Sequence, residues 1–219
     1  MHGYATQLIN FLAALLLILS FAMLSQRRTL SLIHLYTLQG VALVSANLIL
    51  GVLTGDANLF VSAGLTLVLK VGVIPWLLYR LVRRLDVCAD VEPLINIPTT
   101  QLIGIVLVIV AFNVASPISQ LATSVARGAL GIALACVLLS FMAMITRAKA
   151  IPQVIGFLSM ENGLFFAATA ATNGMPMIVE LGIGLDVLVG ILILGVFMFQ
   201  IREQFDSLDI HHLETLKDE

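Results

Sequence analysis

Seven apolar runs divide the chain, at residues 8–26, 30–53, 58–82, 100–116, 128–146, 150–172 and 177–201. A helix rises about 1.5 Å per residue and the hydrocarbon core of a bilayer is about 30 Å thick, so about 20 residues make one crossing. Such runs leave few folds open. In hydrocarbon every backbone N–H and C=O must find its partner within the protein, and a helix achieves this turn by turn. The expected fold is all-α, a polytopic membrane protein of about seven transmembrane helices. Composition agrees, since 60% of the 219 residues are hydrophobic and 11% charged, too few polar side chains to wet the surface of a soluble domain. The fourth run, which stops short of Pro117, lies near the lower limit of length.

Basic residues orient such a bundle, because cytoplasmic loops carry the excess of Lys and Arg. With seven crossings, Arg27, Arg28, Arg80, Arg83, Arg84, Arg147, Lys149, Arg202 and Lys217 fall on one side, nine of the 11. Arg127 falls on the other, and Lys70 lies within the third run. The expected topology has the N-terminus outside and the C-terminus in the cytoplasm. Omitting the fourth run would put Arg147, Lys149, Arg202 and Lys217 outside. The first run has no basic residue before it and Arg27 and Arg28 after it, the reverse of a signal peptide, and reads as a retained helix.

The chain also looks doubled. Runs one to three and five to seven share an order of helix, basic link, helix, short turn ("TGDAN" or "TNGMP") and helix. Arg27 to Gln39 and Lys149 to Glu161 share a spacing of twelve, and "AGLTLVLKVG" lines up with "IGLDVLVGIL" at an offset of 120. The expected organisation is a three-helix unit over 1–84, a link and connector helix over 85–127, a second three-helix unit over 128–204, and a cytoplasmic tail over 205–219.

Charges inside these runs are costly and commonly mark an ion route. Lys70 lies halfway along the third run, Glu161 with Asn162 halfway along the sixth, and Asp186 about nine residues into the seventh, all near one depth. Glu180, at the outer end of the seventh, reads as interfacial. Two readings of these groups stand side by side. One is an ion pair that only locks helices together. The other is a proton relay through bound water, which suits two carboxyls and one amine, with Gln39, Asn47 and His34 adding polar atoms along the second run. His34, a turn inside the cytoplasmic end, also fits a plain interfacial histidine. Pro75 follows Lys70 by five residues and removes a backbone donor, freeing a carbonyl at residue 71. Pro152, in a first helical turn, needs no further reason.

"IPQVIGFLSMENGLFF", "MIVELGIGLDVLVGILILG", the tail "SLDIHHLETLKD" and, in the first half, "LVLKVGVIPWLLY" resemble the hydrogenase-4 component E family, membrane subunits of complex I-related hydrogenases such as formate hydrogenlyase. More distantly, residues 128–215 look like the K subunit of complex I and the C subunit of multisubunit sodium/proton antiporters. That resemblance implies two three-helix repeats of the K-subunit kind, with Asp186 where those subunits carry the proton-path glutamate of their third helix. The family's other glutamate, in an "IGLE" setting, meets Leu158 here, and Glu161 one turn on stands in for it. It also implies no cofactor in this chain, with nickel-iron and iron–sulfur clusters in partner hydrogenase subunits, and antiporter-like membrane subunits as neighbours.

The net charge of −2 and the absence of a Lys/Arg-rich run exclude a nucleic-acid footprint. Cys88 and Cys136 are too few and too distant for a metal or haem pattern, and no nucleophile–base pair assembles into an enzyme of its own. Three functions remain: a non-catalytic membrane-arm subunit of a nickel-iron hydrogenase taking part in proton translocation, a subunit of a multisubunit sodium/proton antiporter, or a structural membrane anchor.

Overall fold

The computed structural model describes residues 2–55, 57–84, 94–119, 124–172, 188–190 and 195. These residues are helical almost throughout. α1 (His2–Ser25) and α2 (Thr29–Thr54) form a hairpin, followed by α3 (Ala57–Thr66), a π-helical segment (Leu67–Val73) and α4 (Ile74–Arg84) as one continuous rod. Then come α5 (Ile97–Ser119), α6 (Ser124–Ile145) and α7 (Ala150–Thr172). Four stretches are long and apolar enough to cross a membrane: Gln7–Ser25, Thr29–Thr54, Leu59–Arg83 and Ile97–Pro117. The last of these is the run expected to be weakest. Ala129–Ile145 is a shorter apolar helix. The seventh run, Glu180 and Asp186 fall outside the described residues, apart from a helical trace at 188–190 and 195.

α2 ends where Gly55 takes a left-handed backbone, φ 70°, and its N–H closes the helix on the carbonyl of Gly51. The turn sends α3 back antiparallel along α2. Gly51 lies against Leu59 and Phe60, and eleven residues earlier Gly40 lies against Lys70 and Val71. α6 and α7 form a second antiparallel hairpin. Gly156 faces the backbone of Met144, and Gly163 faces Val137 and Cys136. Missing side chains at these glycines let the backbones approach, the usual means by which helices associate where lipid removes the hydrophobic drive.

Two hydrogen bonds mark corresponding places in the hairpins. Gln39 Nε2 donates to Ser20 Oγ at 3.1 Å, and Ser140 and Ser159 share a hydrogen bond at 2.7 Å. Each joins residues 19 apart, and Ser140 and Ser159 stand 120 residues beyond Ser20 and Gln39.

The hairpins lie side by side, with α1 parallel to α6. Arg147, just past α6, donates to the carbonyls of Gln26 at 2.7 Å, Met23 at 2.9 Å and Leu24 at 3.1 Å at the end of α1. A cation there meets the negative end of the helix dipole and its unpaired carbonyls. Arg147 is therefore buried rather than a surface charge of the link. Burial pushes its guanidinium below the usual value, and an arginine still stays charged. This end of the bundle, with Arg27, Arg28 and the end of α4, is the basic end; the other is the Gly55 end. α5 packs on α1 and α6 and leaves Leu102, Val106, Ile109 and Val114 exposed, an apolar face suited to lipid.

Candidate functional site

The continuous rod changes register around Lys70. Proline at residue 75 has no N–H, so the turn before it cannot close in the ordinary way. Ile74 donates to the carbonyl of Leu69, five residues back instead of four, and the wide turn runs from Leu67 to Val73. The irregularity expected at the carbonyl of residue 71 is thus spread over seven residues, with Lys70 at its centre. Short π segments occur mainly at functional places in helices. Gly40 is what admits the widened turn. A Cβ there would stand 3.1 Å from Val71 Cγ2 and 3.5 Å from both Cβ and the carbonyl oxygen of Lys70.

Lys70 reaches across the bundle to α7. Its Nζ donates to Glu161 Oε1 at 3.0 Å and to Asn162 Oδ1 at 3.1 Å, and it stands 5.5 Å from the centre of the Phe165 ring. Lys70 is 1% exposed, Glu161 3% and Asn162 1%. Carboxylate, carboxamide oxygen and ring face are the groups an ammonium needs once water is removed. Three residues singled out in the sequence therefore meet in one place.

Gln39 is buried one residue from Gly40, and its amide nitrogen binds Ser20, whose hydroxyl donates to the carbonyl of Leu16. Gln39 Oε1, Asn47 Nδ2 and Asn162 Nδ2 are buried with no hydrogen-bond partner among the described residues. His34 is exposed on α2, toward the basic end, and takes no part in the cluster. Ser20, Ser140 and Ser159 are buried members of the same central layer that the charges alone did not point to. Among the described residues no three His, Cys, Asp or Glu side chains come together.

No protein-family model matches the chain, and no solved structure matches it. An uncharacterized protein of Mycobacterium tuberculosis, Rv0085, is 34% identical over 213 residues, 96% of each chain. The chain belongs to the family of Rv0085. The match runs through both hairpins and the connector, so the likeness is one of whole chains and not of a single helix pair.

Chemically, this site holds an ammonium and a carboxylate in hydrogen-bond contact, closed from solvent. Removing either partner alone would leave a charge in a low-dielectric interior, which is strongly unfavourable.

Proposed function

We propose that the chain is a non-catalytic membrane-arm subunit of a complex I-related nickel-iron hydrogenase, of the hydrogenase-4 or formate hydrogenlyase type, and that Lys70 and Glu161 are links in its proton path. The observation that carries this reading is the Lys70–Glu161–Asn162 cluster, closed from solvent and set on a π-helical turn at mid-helix. A pair used only for packing needs no such turn. A residue that must change partners benefits from a backbone held outside the regular ladder.

One cycle follows from the geometry. Glu161 takes a proton from one direction and becomes neutral, while Lys70 releases one in the other direction and becomes a neutral amine. The proton on Glu161 then crosses the 3.0 Å contact to Lys70 Nζ, and the ion pair is restored. One proton has moved, and neither group stays charged without its partner. Asn162 Oδ1 holds the amine in reach throughout. On this reading Asp186, in the seventh helix, continues the path, with Glu180 at its outer end.

The two hairpins support a doubled architecture: their helices and their Ser20–Gln39 and Ser140–Ser159 bonds correspond at an offset of 120. Seven crossings, with the N-terminus outside, the C-terminus cytoplasmic and the connector over 85–127, complete it. Redox chemistry belongs to partner subunits that carry nickel-iron and iron–sulfur clusters, beside antiporter-like membrane subunits.

The test is proton translocation per hydrogen evolved, normalised to assembled complex. Glu161→Gln and Asp186→Asn keep size and hydrogen bonding but not titration, so coupled translocation per assembled complex should fall to background, with less complex assembled in Glu161→Gln because the ion pair with Lys70 is lost. Unchanged translocation in both variants would leave a structural anchor. Translocation that depended on sodium, without hydrogenase partners, would favour an antiporter subunit.

A further inference from the structure

From Lys70 a stripe of buried polar groups runs toward the Gly55 end of the bundle. On α3 and the π segment the buried positions are Leu59, Ser62, Ala63, Thr66 and Lys70, one stripe at helical spacing. The stripe faces α2, as the contacts of Gly51 with Leu59 and of Gly40 with Lys70 require. Asn47 lies seven residues from Gly40 and four from Gly51, hence on the same face of α2. The antiparallel register puts it at the height of Ala63, between Ser62 and Thr66. Hydroxyl, carboxamide, hydroxyl and ammonium thus follow one another over about 12 Å, most of the roughly 15 Å from mid-bilayer to its edge. Ser62 and Asn47 are each 1% exposed and Thr66 5%. Asn47 Nδ2, deep in this stripe, has no partner among the described residues. A buried amide donor left so is costly, and proteins meet such donors with internal water.

Apolar clusters lie on both sides of Lys70. Leu43, Ala46, Leu50, Leu59 and Phe165 belong to the one toward the Gly55 end, beside the polar stripe. Ile33, Tyr36, Ile74, Leu78, Ile155 and Leu158 are buried together toward the basic end, the Tyr36 hydroxyl being the polar tip among these six. Close-packed aliphatic side chains hold no water, so what sets the Gly55 side apart is the stripe itself.

We infer that the Lys70–Glu161 site is hydrated from the Gly55 end, through an internal file of water along Ser62, Asn47 and Thr66, and that the Tyr36 layer seals it toward the basic end. The file's use as a proton route to or from Lys70 rests on the relay reading above; its hydration does not.

Two measurements on the complex in its native membrane test this. In a chain with Cys88→Ser and Cys136→Ser, cysteines are placed singly at Ser62, Thr66 and Leu78, with Asn47→Cys as a further position if one is poorly tolerated. Silver ion, a small thiol-seeking cation that enters narrow wet spaces, is added from each side. Thiols that escaped it are counted with a maleimide after denaturation. Expected is protection of Ser62→Cys and Thr66→Cys by silver from the Gly55 side, under conditions that leave Leu78→Cys untouched. Unprotected thiols at 62 and 66, or equal protection at 78, would overturn the file. Second, Asn47→Leu and Thr66→Val, which keep volume and remove polarity, should lower translocation per assembled complex as Glu161→Gln does. Loss in Glu161→Gln with full translocation in both apolar variants would overturn the file as a proton route and leave the relay standing. If Glu161→Gln has no effect, the relay reading falls, and the silver result alone decides the hydration.

Discussion

Lys70 and Glu161 hold each other in a place where neither could stand alone. Breaking a buried ion pair by removing one member costs about 3–5 kcal/mol, whereas replacing both by apolar residues of similar volume is often neutral or better. Lys70→Met should therefore lower the melting temperature of the purified protein sharply, and Lys70→Met/Glu161→Leu should recover most of it. The double variant separates the two roles of the pair: a relay predicts a stable complex that no longer translocates protons, a packing pair one that still does. Lys70, Glu161 and Asn162 were legible in the sequence because a charge midway through an apolar run is rare and expensive. Arg147 was not, since a basic residue between two runs reads as a surface charge until the end of α1 is seen to need it. Ser20, Ser140 and Ser159 carried no signal either. A hydroxyl costs little in a membrane helix, and only its partner 19 residues away shows that it faces inward.

At the scale of elements, backbone approach decides the packing. A Cβ on Gly156 would stand 3.0 Å from the backbone nitrogen of Met144, and one on Gly163 3.2 Å from that of Val137. Backbone atoms cannot step aside as a flexible side chain can, so α6 and α7 would have to part. Gly64 offers the contrast, as a Cβ there meets nothing within 4 Å. Gly156→Ala should destabilise by about 1–3 kcal/mol, the usual cost of overpacking. Gly64→Ala should be neutral or gain up to about 1 kcal/mol from helix propensity. Thermal melts in detergent read both, and equal effects at the two sites would show that the close approach is not what holds the hairpin. The described helices were plain in the first six apolar runs, most of their ends within a few residues, while α1 begins at His2, ahead of its run. The wide turn was only half visible. Pro75 announced a lost hydrogen bond, but where the register would change depended on Gly40 leaving room for it, and that contact joins residues some thirty positions apart.

For the whole molecule, the parallel arrangement of α1 and α6 turns charge counting into a geometric argument. Since Arg147 binds the end of α1, the link between α6 and α7 lies at the same end as Arg27 and Arg28, and the antiparallel run of α3 and α4 along α2 brings Arg83 there too. One end of the bundle is thus basic by packing as well as by count, and the proposed orientation puts that end in the cytoplasm. If the end of the chain follows this plan, a crossing between 177 and 201 carries the C-terminus to the basic end. Reporter fusions should accordingly place Gly55 and the 173–177 turn outside, and the 84–98 segment and the C-terminus inside. A reporter at Gly55 found inside would invert the bundle and put the Ser62–Asn47–Thr66 stripe on the cytoplasmic side. A C-terminus outside with Gly55 also outside would remove one crossing after α7 and leave the second hairpin without the third helix that its likeness to the first requires.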